Sequence, residues 1–560
     1  MWTSITQLTL QLLWNNKYFK SPDGFRQDFF VINLLFIAYI LPKNKGVKYM
    51  DNSQNNIGYF PQMLICDKHS SVELNSDFTL PDYQPEIRRL LTSRAVILPQ
   101  SEFLGNGNAE IQGDINYKIT YLGADGSVYC ATLSDKYGLT ASLDFTSHSV
   151  NSDDIALIPS CKVENIGTRV LGPRKLNIRA KLDCRVLGFS PSLYSPNLVG
   201  AHNKSTIENR IFETTCINIK RSESKSLILN DFISLDTSSD NIRIIDCYSN
   251  VIFNECSAAN DKIYVKGESV LKILYCNEGE NTHPLSMIKK IPFSCEMYAS
   301  GVTSLFECTA RGVCFDERFD FSENGVAVDI TLSLSAIAQR NESVKYISDA
   351  YSTEKLCQNS NSELSILNTV RCCCGNLTQN DVFSLEDINL SRDVKIIDII
   401  GKSNINELAI ENGKLIFKGS NDYQVVYALE EEYSSLTINA PIKYELDTRS
   451  AINVEKDFKW QVESNVSSVR ARHDGERLFV DCELNLNVIL NCLNKLELLN
   501  EMIFGEYLKK PCGEILLCYP DKDATVWSVA KQYGEPQKNI RTKNSISETE
   551  EQIKKRYLII

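Results

Sequence analysis

The sequence predicts a mainly β protein, with three tandem antiparallel β-sandwich or barrel-like modules followed by a small α+β domain of βααβ order. Three observations carry this. A strand signature recurs three times at module spacing, a second strand recurs at nearly the same spacing further along, and after Cys518 the apolar period changes from two to helical.

The signature runs from Ile111-Gln112-Gly113 to Tyr117, Ile119 and Tyr121, from Val265-Lys266-Gly267 to Leu271, Ile273 and Tyr275, and from Phe417-Lys418-Gly419 to Tyr423, Val425 and Tyr427. The glycine and the last tyrosine are 8 residues apart each time, and the glycines are separated by 154 and 152 residues. Such alternation puts every second side chain on one face of a half-buried strand. A glycine inside it marks a bulge or a close backbone approach.

In the second strand, Leu176, Ile178, Ala180 and Leu182 correspond to Val326, Val328, Ile330 and Leu332, and these to Leu478, Val480, Cys482 and Leu484, at offsets of 150 and 152. Upstream, Leu80 to Ile87 with Leu90-Leu91 corresponds to Leu235 to Ile242 with Ile245 and, less cleanly, to Leu385 to Val394 with Ile397; the prolines Pro81 and Pro85 occur only in the first copy. Turn residues lie between short strands and leave little room for crossover helices, which argues against a parallel α/β sheet.

At 560 residues the chain is too long for one core, and about 150 residues per domain gives three or four. The expected division is an N-terminal extension at 1–49, modules at 50–205, 206–360 and 361–510, and the closing domain at 513–560. Linkers are expected in the polar stretches Asn203 to Ser226 and Glu354 to Asn380.

In the closing domain a short apolar strand, Ile515 to Tyr519, precedes a helix in which Val526, Val529, Ala530 and Tyr533 share one face and Gly534 is the stop. A second helical turn is expected from Pro536 to Asn544 and a last strand from Tyr557 to Ile560. Thr525, Trp527, Tyr533 and Ile540 are the candidate partner-binding residues, although aromatic side chains at helix spacing in so small a domain more often build its core.

Composition narrows the function classes. Apolar residues at 43% and charged residues at 23% are ordinary globular usage. A net charge of −12 and the absence of a long basic run argue against nucleic acid; Lys554-Lys555-Arg556 sits beside Glu548, Glu550 and Glu551 as on a solvated helix face. The 19 cysteines are too sparse for a disulfide scaffold and read as small apolar residues in a reducing compartment. Cys372-Cys373-Cys374 is contiguous, so its side chains diverge, and an ordinary turn with one or two buried thiols is expected there rather than a metal site. The histidines, His69, His148, His202, His283 and His473, are isolated from one another. No cofactor and no metal is expected.

The apolar stretch Phe29 to Leu41 falls short of the roughly 20 residues of a membrane span. It also makes a poor signal peptide, so it reads as a buried segment or as translated sequence ahead of a start at Met50. Asp82 and Glu86 are the nearest approach to a catalytic carboxylate pair, but they flank Pro85 in an expected turn into a short helix. No enzymatic activity is expected.

With these residues assembled, the chain resembles the SipL-like family of spore-coat morphogenetic proteins, whose repeated module is the SPOCS domain. The resemblance rests on Leu80 to Ile87, the strand Ile111 to Tyr121, the segment Pro173 to Ala180, and the Trp527 helix, which is similar to the first helix of a LysM domain. The family's Gly-Asp-Thr turn stands here as Asp523-Ala524-Thr525, which makes a close backbone approach to sugar less favourable. The resemblance implies a protein of the mother-cell cytoplasm, placed at the forespore surface in the spore coat. It also implies a LysM-like tail that binds the morphogenetic ATPase of the coat basement, with other coat proteins as further partners. The alternative is a cell-wall protein whose tail binds peptidoglycan.

Overall fold

Alternation of apolar residues over long runs builds strands here, and most are far longer than the short ones expected. The computed structural model describes residues 57–560 apart from 106, 144–154, 201–205, 235–241, 278–282, 323–324, 431, 447–456 and 510–514. The 1–49 extension, its Phe29 to Leu41 stretch, Met50, His148 and His202 lie outside the described residues.

In the first third of the chain come β1 (Tyr59–Thr79), β2 (Ile87–Ile97), β3 (Ser101–Gly105), β4 (Asn108–Gly123), β5 (Val128–Ser142), β6 (Ala156–Gly172), β7 (Lys175–Leu193) and the short β8 (Asn197–Val199). The second third holds β9 (Ile207–Arg221), β10 (Lys225–Ser234), β11 (Ile242–Ala259), β12 (Lys262–Asn277), β13 (Leu285–Tyr298), β14 (Glu307–Ser322) and β15 (Gly325–Ser352). The last third holds β16 (Lys355–Ser384), β17 (Lys395–Glu411), β18 (Lys414–Leu429), β19 (Glu432–Leu446), β20 (Phe458–His473) and β21 (Arg477–Tyr507). The tail consists of β22 (Leu517–Cys518), α1 (Val526–Tyr533), α2 (Gln537–Asn544) and β23 (Leu558–Ile559).

One pairing plan is used three times. The sheet orders β1-β7-β6, β10-β15-β14 and β16-β21-β20 match one another, and so do the sheets centred on β4, β12 and β18. In the first two thirds the two sheets close on one core, for example Ile111, Ile115, Tyr117, Ile119 and Tyr121 against Leu176, Ile178, Ala180 and Leu182, and in the last third on two adjoining clusters. The result is three open sandwiches, not closed barrels.

The signature glycines do what a strand glycine is expected to do. A Cβ on Gly267 would lie 2.1 Å from the Ile252 carbonyl oxygen, and one on Gly419 would lie 1.9 Å from that of Asn404. The opposing strands slip register there, between Phe253 and Glu255 and between Ile405 and Glu407. In the first sandwich the same strand is interrupted between β2 and β3, around Pro99, opposite Gly113.

Three local expectations are corrected. The stretches Asn203 to Ser226 and Glu354 to Asn380 are not linkers: their described residues form β9, the start of β10, and most of β16. Cys372 to Cys374 lies in the middle of β16 rather than in a turn, with Cys372 buried. The segment at Asp82 turns without forming a helix, and Pro81 and Pro173 anchor it through their carbonyls, to Gln84 and Ile87.

A second bulge shared by all three sandwiches determines how they meet. Register slips between Leu90 and Thr92, between Ile244 and Asp246, and between Ile396 and Asp398, leaving Leu91, Ile245 and Ile397 unpaired. These three sit at the glycine offsets of 154 and 152 and converge in one buried cluster with Leu122, Leu274, Val426, Ala428 and Tyr433. The polar contacts around the cluster run in one direction. The Arg243 guanidinium donates to the Val128 carbonyl, and its counterpart Arg89 donates to that of Tyr433. The second sandwich thus grips the first and the first grips the third, and with the second and third packed together in the cluster this closes a ring. A second shared cluster, with Phe60, Phe189, Ile217, Ile337, Ile366 and Leu498, joins the long sheets of all three.

Candidate interaction surface

The tail's sequence specifies its own small core. Val526, Trp527, Val529 and Ala530 of α1, Ile540 of α2, and Cys518 and Leu558 of the two strands are buried together. Thr525 caps α1: its hydroxyl accepts from the Ser528 amide, while the Ser528 hydroxyl accepts from the Thr525 amide. Gly534 ends the helix at φ +60°, the left-handed conformation that glycine adopts without penalty, and a Cβ there would meet Leu508 Cδ1 at 2.3 Å.

The four candidate residues are therefore placed as follows. Trp527 is only 4% exposed; its indole Nε1 donates to Asp349 Oδ2 at 2.9 Å and its ring meets Tyr351 edge-on at 5.1 Å between centroids. Ile540 is fully buried, Thr525 caps the helix, and Tyr533 is half-buried against the same core. A hydrogen bond to Cys518 raises the Tyr533 phenol above its ordinary pKa. Trp527 and Ile540 thus serve packing, and Trp527 also ties the tail to β15.

Asp349 is the centre of that tie. It follows a bulge between Ile347 and Asp349, and it also accepts from Lys531 Nζ at 2.6 Å and Asn359 Nδ2 at 2.7 Å. Burial alone would raise its pKa, but hydrogen bonds from Lys531 and Trp527 hold the carboxylate below its usual range. The Tyr351 hydroxyl adds a bond to the Glu535 carbonyl at 2.8 Å. These contacts hold the tail on the second sandwich.

What the tail offers outward is the other face of its sheet. Leu517 pairs with Ile559 and Cys518 with Leu558, so Cys518 and Leu558 point inward while Leu517 and Ile559 point out. Ile515 at 80% and Tyr519 at 70% exposure extend the outer row, and Tyr557 joins it with its ring 6.5 Å from that of Tyr519. At the tyrosine end lie the exposed Lys522, Lys554, Lys555 and Arg556, with Asp521 and Asp523 beside them. From Ile515 to Ile560 the chain carries 8 basic and 6 acidic residues, so an acidic protein ends in a mildly basic domain. An exposed apolar strip of this kind marks a candidate contact surface. The sequence identified both strands but could not say which face would be solvated, since residues on both faces are apolar.

Elsewhere the chemistry is sparse. Among the described residues no cluster of three or more His, Cys, Asp or Glu is placed to hold a metal. Asp82 is fully exposed beside Arg174. No helix among the described residues is long and apolar enough to cross a membrane.

A known family matches part of the second sandwich. The family described as SipL, SPOCS domain matches residues 242–316, which span β11 to β13 and the first part of β14 and include the bulge at Ile245 and the glycine Gly267. No curated protein and no solved structure matches the chain.

Proposed function

With a SipL-type SPOCS domain at residues 242–316 linking the chain to sporulation, we propose that it is a non-enzymatic adaptor of spore-coat assembly. In this reading it binds the ATPase of the coat basement at the forespore surface and helps tether the coat there. The ring of sandwiches is the scaffold, and the tail is the docking domain.

The observation that supports this best is the solvent-facing strip Ile515, Leu517, Tyr519, Tyr557 and Ile559, presented on a tail fixed by Trp527 and Asp349. Interface cores favour tyrosine and exclude charge, as this strip does, and a basic rim steers an acidic partner. Peptidoglycan is the less favoured ligand because Trp527 faces inward.

The experiment is a binding titration of the full chain against the purified basement ATPase and, in parallel, against purified peptidoglycan. The expected result is saturable binding to the ATPase, weakened by at least about tenfold in the double variant Tyr519→Ser, Tyr557→Ser, since each aromatic anchor contributes roughly 1–2 kcal/mol. Retention on peptidoglycan with no binding to the ATPase would replace this reading with that of a wall-binding protein.

A further inference from the structure

The ring is lined by two columns of equivalent residues, related by the same offsets of 154 and 152. One column follows the shared bulge and reads Thr92, Asp246, Asp398, all buried. The other, on the neighbouring strand, reads Lys118, Lys272, Gln424. Across the first junction Lys118 lies 3.3 Å from Glu317 and 3.9 Å from Asp246 and bonds the Cys247 carbonyl, with Arg94 pairing Asp246 at 2.7 Å. Across the second, Lys272 pairs with Asp398 and donates to the Ile399 carbonyl at 2.6 Å. Across the third, which closes the ring, both charges are absent: Gln424 donates to the Leu91 carbonyl at 3.2 Å, beside Thr92.

We infer that these columns form a matching code that dictates which sandwich packs on which, and so fixes the closed order of the ring. A lysine meets an aspartate at the two junctions where the sandwiches follow one another in the chain, and a neutral side chain meets a neutral one where the last returns to the first. The reversed order is penalised at two of its three junctions, since only the first sandwich on the third, Lys118 against Asp398, would still be matched. The third sandwich packed on the second or on itself would bury Asp246 or Asp398 without an ammonium, and the first or second packed on the first would bury a lysine against Thr92. Burying one partner of an ion pair alone is far more costly than burying the matched pair or a neutral pair. Between two copies of the chain the same mismatched contacts are disfavoured, whereas the second sandwich on its own copy, Lys272 against Asp246, is not.

The test is a pair of double-mutant cycles in the full-length chain, read by denaturant unfolding and by oligomeric state in light scattering. At the second junction the substitutions are Lys272→Gln and Asp398→Thr, which rewrite it in neutral form. At the third they are Gln424→Lys and Thr92→Asp, which rewrite it in ionic form. Each single substitution is expected to raise the unfolding equilibrium constant at least about tenfold and to populate higher oligomers. Each double is expected to recover most of that loss and return to the oligomeric state of the unsubstituted chain. Should a single variant prove insoluble, recovery of soluble protein in the double reads the same coupling. Additive losses, or doubles as impaired as their singles, would overturn the code and leave the residues as ordinary interior polar groups.

Discussion

The indole of Trp527 donates to Asp349 at 2.9 Å, joining the tail helix to a strand nearly 180 residues earlier in the chain. Lys531 binds the same carboxylate, so one acid receives two donors from successive turns of α1. Asp349→Ala should therefore release the tail without unfolding the body. Loss of these charge-assisted bonds is expected to cost about 2–4 kcal/mol of docking. Hydrogen exchange is expected to quicken in 526–533 and 345–352 while the cores around Tyr117 and Tyr423 stay protected.

The same carboxylate gives a pH dependence of defined sign. Its folded pKa lies below the ordinary value, because the bonds from Lys531 and Trp527 outweigh its burial. Its contribution is complete above the unfolded pKa of about 3.9 and falls as the pH drops through the folded value. Tail docking should be insensitive to pH from neutrality down to about 5 and weaken only below about 4. Exchange of the α1 amides along that range is the check, and Asp349→Asn should already be weakened at neutral pH.

The signature glycines should be intolerant of any side chain, for a local reason. Gly267→Ala and Gly419→Ala would drive a Cβ to within 2.1 and 1.9 Å of a carbonyl oxygen, and backbone cannot move aside as a side chain can. Each is expected to destabilise by about 1–3 kcal/mol or more. Gly167→Ala in β6, where a Cβ meets nothing within 4 Å, should be nearly neutral. Denaturant midpoints of the three variants decide the matter.

These glycines also show why the repeat was legible in the sequence. Alternation and a bulge glycine are local properties, so they survive drift and fix the period. The tail helix and its Gly534 stop could be read for the same reason. The ring could not, because the unpaired Leu91, Ile245 and Ile397 look in sequence like part of an apolar run. Only the pairing of β2, β11 and β17 shows that a bulge turns them toward one another. β16 reads as a linker because its own residues are polar; β21, rich in leucine and valine, supplies much of the apolar surface of that pair. The docking role of Trp527 was hidden too, since Asp349 lies far from it in sequence.

The cysteines allow a last prediction about the folded chain as a whole. Burial pushes the Cys216 thiol up to about 12 and the Cys482 thiol up to about 11, and lifts Cys247 and Cys372 well above the ordinary range. A thiol-specific reagent at pH 8 should therefore leave these four unmodified in the native protein and react with them on unfolding, because only the thiolate attacks. Peptide mapping of the modified sites is the measurement. The same shifts make stability depend on alkali. Since the folded pKa values are raised, the stabilising contribution is complete below the unfolded value of about 8.5 and is lost as pH climbs toward the folded ones. Denaturant midpoints should thus be flat from pH 7 to about 8 and decline between about 9 and 11. Replacing Cys216 and Cys482 by alanine should lower the midpoint at neutral pH through lost packing and flatten that decline. A decline of unchanged steepness in the double variant would assign the alkaline loss to other groups.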